Sequence, residues 1–151
     1  MLFRSKKIYI AADHAGFELK QFLINELKLL NHQAIDLGCD SSEVSVDYPQ
    51  YAQKLCQKLL NDEDKAVGIL ICGSGIGISI AANRFNNIRA ALCHNIKSAK
   101  LSRAHNDANV LCLGARFTSE KLAKSIAKAF LMTEFEGGRH GRRVEGIDFH
   151  S

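Results

Sequence analysis

Apolar and polar positions along the chain alternate between two rhythms. Short apolar runs at 7–12 ("KIYIAA"), 33–38 ("QAIDLG"), 66–72 ("AVGILIC"), 88–93 ("IRAALC") and 109–114 ("NVLCLG") have the length of strands. Between them, apolar residues recur three or four apart: Leu19, Phe22, Leu23, Leu27 and Leu30, then Ala52, Leu55, Cys56, Leu59 and Leu60, and finally Leu122, Ala123, Ile126, Ala127 and Phe130. Such spacing lines one face of a helix. A weaker stripe in "IKSAKLSRAH" and an apolar run after the glycines of "CGSGIG" predict two more helices. Pro49, the only proline, suits the first turn of a helix, where its missing N–H is no loss.

This β-α-β-α rhythm predicts a doubly wound parallel sheet of about five strands between helical layers. The unbroken apolar character of 66–72 predicts a central strand covered on both faces. No linker, repeat or low-complexity stretch interrupts residues 1–151, so they read as one domain. The segment 133–151 shows no clear period and is expected to pack on a partner subunit.

Composition adds exclusions. With 46% hydrophobic and 24% charged residues the chain matches an ordinary globular domain. Nothing approaches the roughly 18 consecutive apolar residues of a membrane helix. The start, "MLFRSKKIYI", lacks the pattern of a secretory signal. Five cysteines (Cys39, Cys56, Cys72, Cys93, Cys112) are an odd number, and four lie within or beside apolar runs. They read as reduced thiols, which predicts the cytoplasm. No CxxC or Cys/His pair has zinc spacing, so no metal is expected. A net charge of +4 is too modest to suggest nucleic acid as the main partner. The basic residues gather instead in "GGRHGRRVEG", a set suited to a smaller anion.

Ligands of doubly wound sheets bind beyond the carboxyl ends of the strands. Asp13 and His14 follow the first strand, Cys72 to Gly77 the third and Arg116 the last, so these polar residues should share one rim. In "CGSGIG", three alternate glycines let backbone N–H groups approach a ligand, and the helix that follows adds its positive end. The turn suits a phosphate or a forming oxyanion. It is no Walker loop, because no lysine follows, and no dinucleotide loop, because Ile78 stands at the third glycine position.

Cys72 borders that turn as a candidate nucleophile or base, against the plainer reading of an inert strand-end thiol. His105, beside Asn106, has the chemistry to move a proton at a sugar oxygen, or else merely ends a helix. Asp13 and His14 would otherwise form only a turn, and Tyr48 would be a packing aromatic. Arg139 and Arg143 would be solvated, although Gly137 and Gly138 allow their segment to fold over a pocket. Together the signals suggest chemistry on a phosphorylated metabolite.

The segments "DHAGFELK", "DYPQYA", "ILICGSGIGISIAANR", "RAALCHN", "SRAHNDANVLCLGAR" and "FEGGRHGRRVEGI" resemble, in order and over almost the whole chain, the ribose-5-phosphate isomerase B family. The galactose-6-phosphate isomerase subunits belong to the same broader family. The resemblance implies a Rossmann-like three-layer α/β/α sandwich acting without metal or other cofactor. It also implies a homodimer or homotetramer with active sites shared between subunits.

By this resemblance Cys72 is the proton acceptor beside the carbonyl, and His105 helps to open the furanose ring. Gly73, Ser74, Gly75, Ile76 and Gly77 steady the enediolate, Ser74 standing where many members carry threonine. Asp13, His14, Tyr48 and Asn106 contact substrate. Arg116, Arg139 and Arg143 bind ligand, the last two at its phosphate. Ile78 stands where another branch, lacking the cysteine, carries a glutamate base. The implied reaction interconverts ribose 5-phosphate and ribulose 5-phosphate in the non-oxidative pentose phosphate pathway. A six-carbon sugar phosphate such as allose or galactose 6-phosphate is the alternative substrate. A phosphate-binding module without catalysis is the alternative class.

Overall fold

The computed structural model describes residues 4–149. Its strands are β1 (Lys7–Ala12), β2 (Gln33–Asp36), β3 (Ala66–Cys72), β4 (Ala90–Leu92) and β5 (Val110–Gly114). The helices are α1 (Phe17–Leu29), α2 (Tyr48–Leu60), α3 (Ile76–Ala82), α4 (Ile96–Ala104), α5 (Glu120–Met132) and α6 (Arg139–Glu145), with a single 3₁₀ turn at His14–Gly16. All strand pairs are parallel, in the order β2-β1-β3-β5-β4. The apolar run at 66–72 is the middle strand, as its composition requires.

Alternation along the strands divides the core. Ile8, Ile10, Ile69, Ile71, Leu111 and Leu113 face a layer built from α1, α4 and α5. Tyr9, Ala11, Leu70, Cys72, Val110 and Cys112 face α2 and α3. Each fully buried Leu or Ile contributes about 1.5–3 kcal/mol, so both layers hold the sheet firmly. The weak stripe of α4 has a physical reason: it buries only Ala99, Ser102 and Ala104, small residues that suit close packing. Asn95 caps α4 through Ser98 N–H at 2.8 Å, and Ser119 caps α5 through Leu122 N–H at 3.2 Å.

Several boundaries differ from the periodic reading. The run at 33–38 pairs only over Gln33–Asp36, and that at 88–93 only over Ala90–Leu92. Leu30 lies beyond the end of α1, and Leu60 is exposed at the end of α2. Helix α6 has no buried residue, so no apolar stripe announces it.

The C-terminal segment lies along its own subunit. Glu136 N–H donates to the Ala104 carbonyl at 3.0 Å, and Asn87 N–H donates to Asp148 Oδ2 at 3.0 Å. Lys20, fully buried on α1, joins that helix to β2 through Asp36 at 2.8 and 3.0 Å, with its Nζ 5.0 Å from the Phe17 ring centre.

Candidate active site

The carboxyl edge of the sheet gathers one group of polar residues. Asp13 is buried just after β1, and its Oδ1 accepts N–H bonds from Ala15 (3.0 Å) and Gly16 (3.2 Å), forming the 3₁₀ turn. His14 Nδ1 accepts the Val46 N–H at 3.1 Å. A neutral His14 therefore carries its proton on Nε2 and can donate it elsewhere.

At the end of β3, Cys72 Sγ accepts the Gly75 N–H at 3.2 Å, and Ser74 Oγ accepts the Ile76 N–H at 3.1 Å. Two of the backbone donors expected to serve a ligand are thus used inside the turn. The Ser74 hydroxyl keeps its own proton available, because its oxygen is the acceptor. Gly75 has φ of 78°, the left-handed region, and caps a helix of only seven residues. The flanking glycines make room for side chains. A Cβ on Gly73 would stand 2.6 Å from Arg116 Nη1, and one on Gly77 would stand 2.5 Å from Tyr48 Cζ. The bare turn therefore seats Arg116 and Tyr48 as well as exposing backbone.

Among the other cysteines, burial pushes the Cys56 thiol up to about 12 and raises those of Cys93 and Cys112. Buried apolar surroundings disfavour thiolate, so these are packing residues.

His105, Asn106, Arg139 and Arg143 belong to the opposite edge. Val110, which opens β5, pairs with Gly68, four residues before Cys72. At about 3.3 Å per residue that is roughly 13 Å along the strand, and His105 and Asn106 precede Val110. The turn carrying them is fixed by Arg103 Nη1, which donates to Asp107 Oδ1 (2.9 Å) and the Ala108 carbonyl (2.6 Å). Arg89 Nε adds a bond to the Asp107 carbonyl at 2.8 Å. Asn106 borders a cavity of about 570 Å³ with Ser102, Arg84 and Arg89.

His105 stacks on His140 of α6, with ring centres 4.2 Å apart and planes 11° from parallel. Both Nε2 atoms lie 3.8 Å from Glu136 Oε1. Desolvation, followed by the charges of His105, Arg139 and Arg143, lowers the His140 pKa, with Glu136 opposing. Glu136 and His140 were not anticipated as site residues. Only the fold-back of the C-terminal segment brings them to His105.

The expected residues thus form two sets. Asp13, His14, Tyr48, Cys72 to Gly77 and Arg116 share the carboxyl edge, while His105, Asn106, Arg139 and Arg143 share the amino edge.

Known proteins resemble the chain throughout. Ribose-5-phosphate isomerase B of Escherichia coli K12 is 49% identical over 142 residues, covering 94% of each chain. A crystal structure of a ribose 5-phosphate isomerase from Thermotoga maritima superposes with a TM-score of 0.92 at 50% identity, over 96% of this chain and 99% of the other. Ribose-5-phosphate isomerase B from Mycoplasma genitalium, solved with bound ribulose-5-phosphate, gives a TM-score of 0.91 at 41% identity, over 96% and 95%. The family pattern described as Ribose/Galactose Isomerase matches residues 8–147. On this agreement of sequence and fold, the chain belongs to the ribose/galactose isomerase family.

Proposed function

We propose that the chain is an aldose–ketose isomerase interconverting D-ribose 5-phosphate and D-ribulose 5-phosphate through a cis-enediolate. Its place is the non-oxidative pentose phosphate pathway of the cytoplasm. The observation carrying this reading is the Cys72 sulfur, held at the end of the central strand by the Gly75 N–H at 3.2 Å. It stands beside a turn that also seats Arg116. The relative with bound ribulose-5-phosphate supports the choice of sugar.

In this mechanism the Cys72 thiolate removes the proton from C2 of the open-chain aldose and returns it at C1. One base suffices because the two carbons are adjacent and the same face of the enediolate is presented to the sulfur. Negative charge that develops on the substrate oxygens is met by the Ser74 hydroxyl and the remaining N–H groups of the turn. Asp13 holds its turn in place, and His14 offers Nε2 to a sugar oxygen. Tyr48 borders the pocket. His105 moves the proton that opens the furanose ring, with Asn106 beside it. Arg116 binds ligand beside the Cys72 turn, and Arg139 and Arg143 hold the remote phosphate, so that phosphate binding orients the reacting carbons.

The two sets of residues lie on opposite edges of one sheet, so a complete site needs the carboxyl edge of one subunit and the amino edge of another. A homodimer supplies two such sites, and α6 with the rest of 133–149 packs towards the partner; residues 150–151 lie outside the described residues. Exposed Ile76 (53%) and Ile80 (61%), one turn apart on α3 beside Tyr48, offer apolar surface for that contact.

The test is interconversion of the two pentose phosphates by the purified chain in EDTA, beside Cys72→Ala. Turnover in EDTA that falls on the order of 10²–10⁴-fold in the variant supports both reaction and base. Undiminished turnover in the variant removes Cys72 from the mechanism. Absence of pentose turnover with turnover of allose 6-phosphate would replace the substrate, and absence of both would favour a binding module.

A further inference from the structure

His105, Glu136 and His140 bring two imidazole nitrogens and a carboxylate oxygen within 4.8 Å of one another. The carboxylate oxygen is 3.8 Å from each Nε2. An ion about 2.0–2.2 Å from each of two ligands allows them to stand up to roughly 4.2 Å apart. Ligands at the tetrahedral angle stand about 3.3–3.6 Å apart, so the two Glu136–His pairs close by a few tenths of an ångström on binding. The stacked imidazoles turn the same edge towards Glu136, and a rotation of the half-exposed His105 ring brings its nitrogen into line.

The backbone holds the group together. Glu136 N–H is bonded to Ala104 O, next to His105, and His140 N–H to Gly137 O, two residues ahead of α6. Two imidazoles and one carboxylate with open remaining positions suit zinc and its neighbours, rather than calcium or magnesium.

We propose that His105, Glu136 and His140 form an inhibitory site for a zinc-class divalent cation. Occupancy takes the Nε2 lone pair of His105, and with it the ring-opening proton transfer. The inhibitory half of this inference rests on the isomerase reading; the binding half does not. The reaction itself needs no metal, since the cation only withdraws a proton-carrying group.

The two directions of the reaction should respond differently. Ribulose 5-phosphate has its C5 oxygen esterified and its carbonyl at C2, so it cannot form a furanose and enters open-chain. From ribulose 5-phosphate the open-chain aldose can leave and cyclise in water, so zinc at His105 should slow initial turnover of ribose 5-phosphate on the order of 10²-fold and that of ribulose 5-phosphate far less. Zinc on the Cys72 thiolate would stop both equally.

The experiment titrates EDTA-stripped full chain with Co²⁺, followed by its visible spectrum, and repeats the titration on Glu136→Gln/His140→Asn with its fold checked by circular dichroism. We expect one Co²⁺ per chain, visible ligand-field bands without thiolate charge transfer, and their loss in the double variant. Zn²⁺ inhibition should be directional in the wild type and relieved in the variant. Lack of Co²⁺ binding, a thiolate band, or inhibition equal in both directions and unchanged in the variant would each overturn the proposal. If the chain turns over neither pentose, the Co²⁺ arm alone decides the site, by the same criteria.

Discussion

Cys72 and His105 stand at opposite edges of the same parallel sheet, separated by more than the four-residue stagger between Gly68 and the end of β3. A thiol and an imidazole so placed would reach one small sugar only between two subunits, as proposed above. If sites form between subunits, mixing two inactive variants restores activity. In a dimer of Cys72→Ala with His105→Asn, one site carries both substitutions and the other carries neither. Random reassembly of equal amounts then yields about a quarter of wild-type activity. Activity no greater than that of the separate variants would show that each site belongs to one chain. Mixing after denaturation, followed by a ribose 5-phosphate assay, makes the measurement.

The turn between Cys72 and α3 depends on Gly75. A Cβ there meets Leu92 Cδ1 at 2.5 Å and the Leu113 carbonyl carbon at 2.8 Å, and φ is 78°. Gly75→Ala combines a left-handed penalty of about 1–2 kcal/mol with overpacking of about 1–3 kcal/mol. We expect urea denaturation to show a loss of roughly 2–5 kcal/mol, together with lost turnover. Gly137→Ala is the control. Its φ is 71°, but a Cβ there has no atom within 4 Å, so only the conformational penalty should appear.

Lys20 is fully buried, while its partner Asp36 remains partly exposed. Removing the acid strands a buried cation, whereas removing the cation leaves an acid that water can reach. Asp36→Ala should cost about 1–3 kcal/mol, discounted for solvent around the acid, and Lys20→Met should cost less. Denaturation midpoints of the two variants decide the order; a larger loss in Lys20→Met would contradict it.

Asp62 predicts the acid limb of stability. Hydrogen bonds from Lys7 Nζ (2.8 Å) and Tyr9 O–H (2.5 Å) hold its pKa at about 2, below the usual 3.8. A depressed carboxyl pKa stabilises the fold above the unfolded value, and that stabilisation is lost as pH falls through the folded one. Asp62→Asn should therefore be less stable than wild type at pH 7, with the gap closing between about pH 4 and pH 2. A gap independent of pH would refute the assignment.

Much of this architecture is legible in the hydrophobic pattern, and the failures have causes. The run 66–72 is a strand throughout because every position from Gly68 to Cys72 is buried. At 88–93 the pattern is too long: Ile88 and Cys93 are buried but lie outside β4. Apolar runs record burial, and burial extends past the ladder. Helix α6 shows the converse, a helix without an apolar stripe because the one side chain it tucks away is His140, stacked on His105. At the site, Cys72 is legible because glycines crowd the residues after it. Glu136 and His140 are legible only after folding, since their meaning comes from His105, more than a strand and a helix away.

The exposed mounting of α6 has a thermal consequence. A segment without buried residues opens at little free-energy cost, well before the sheet beneath it melts. In an isolated subunit the arginines and His140 would come loose while the circular dichroism of the core stayed native. Heating dilute protein should thus extinguish ligand binding several degrees below the melting of the domain. If a partner covers α6, as proposed, raising the protein concentration should draw the two temperatures together.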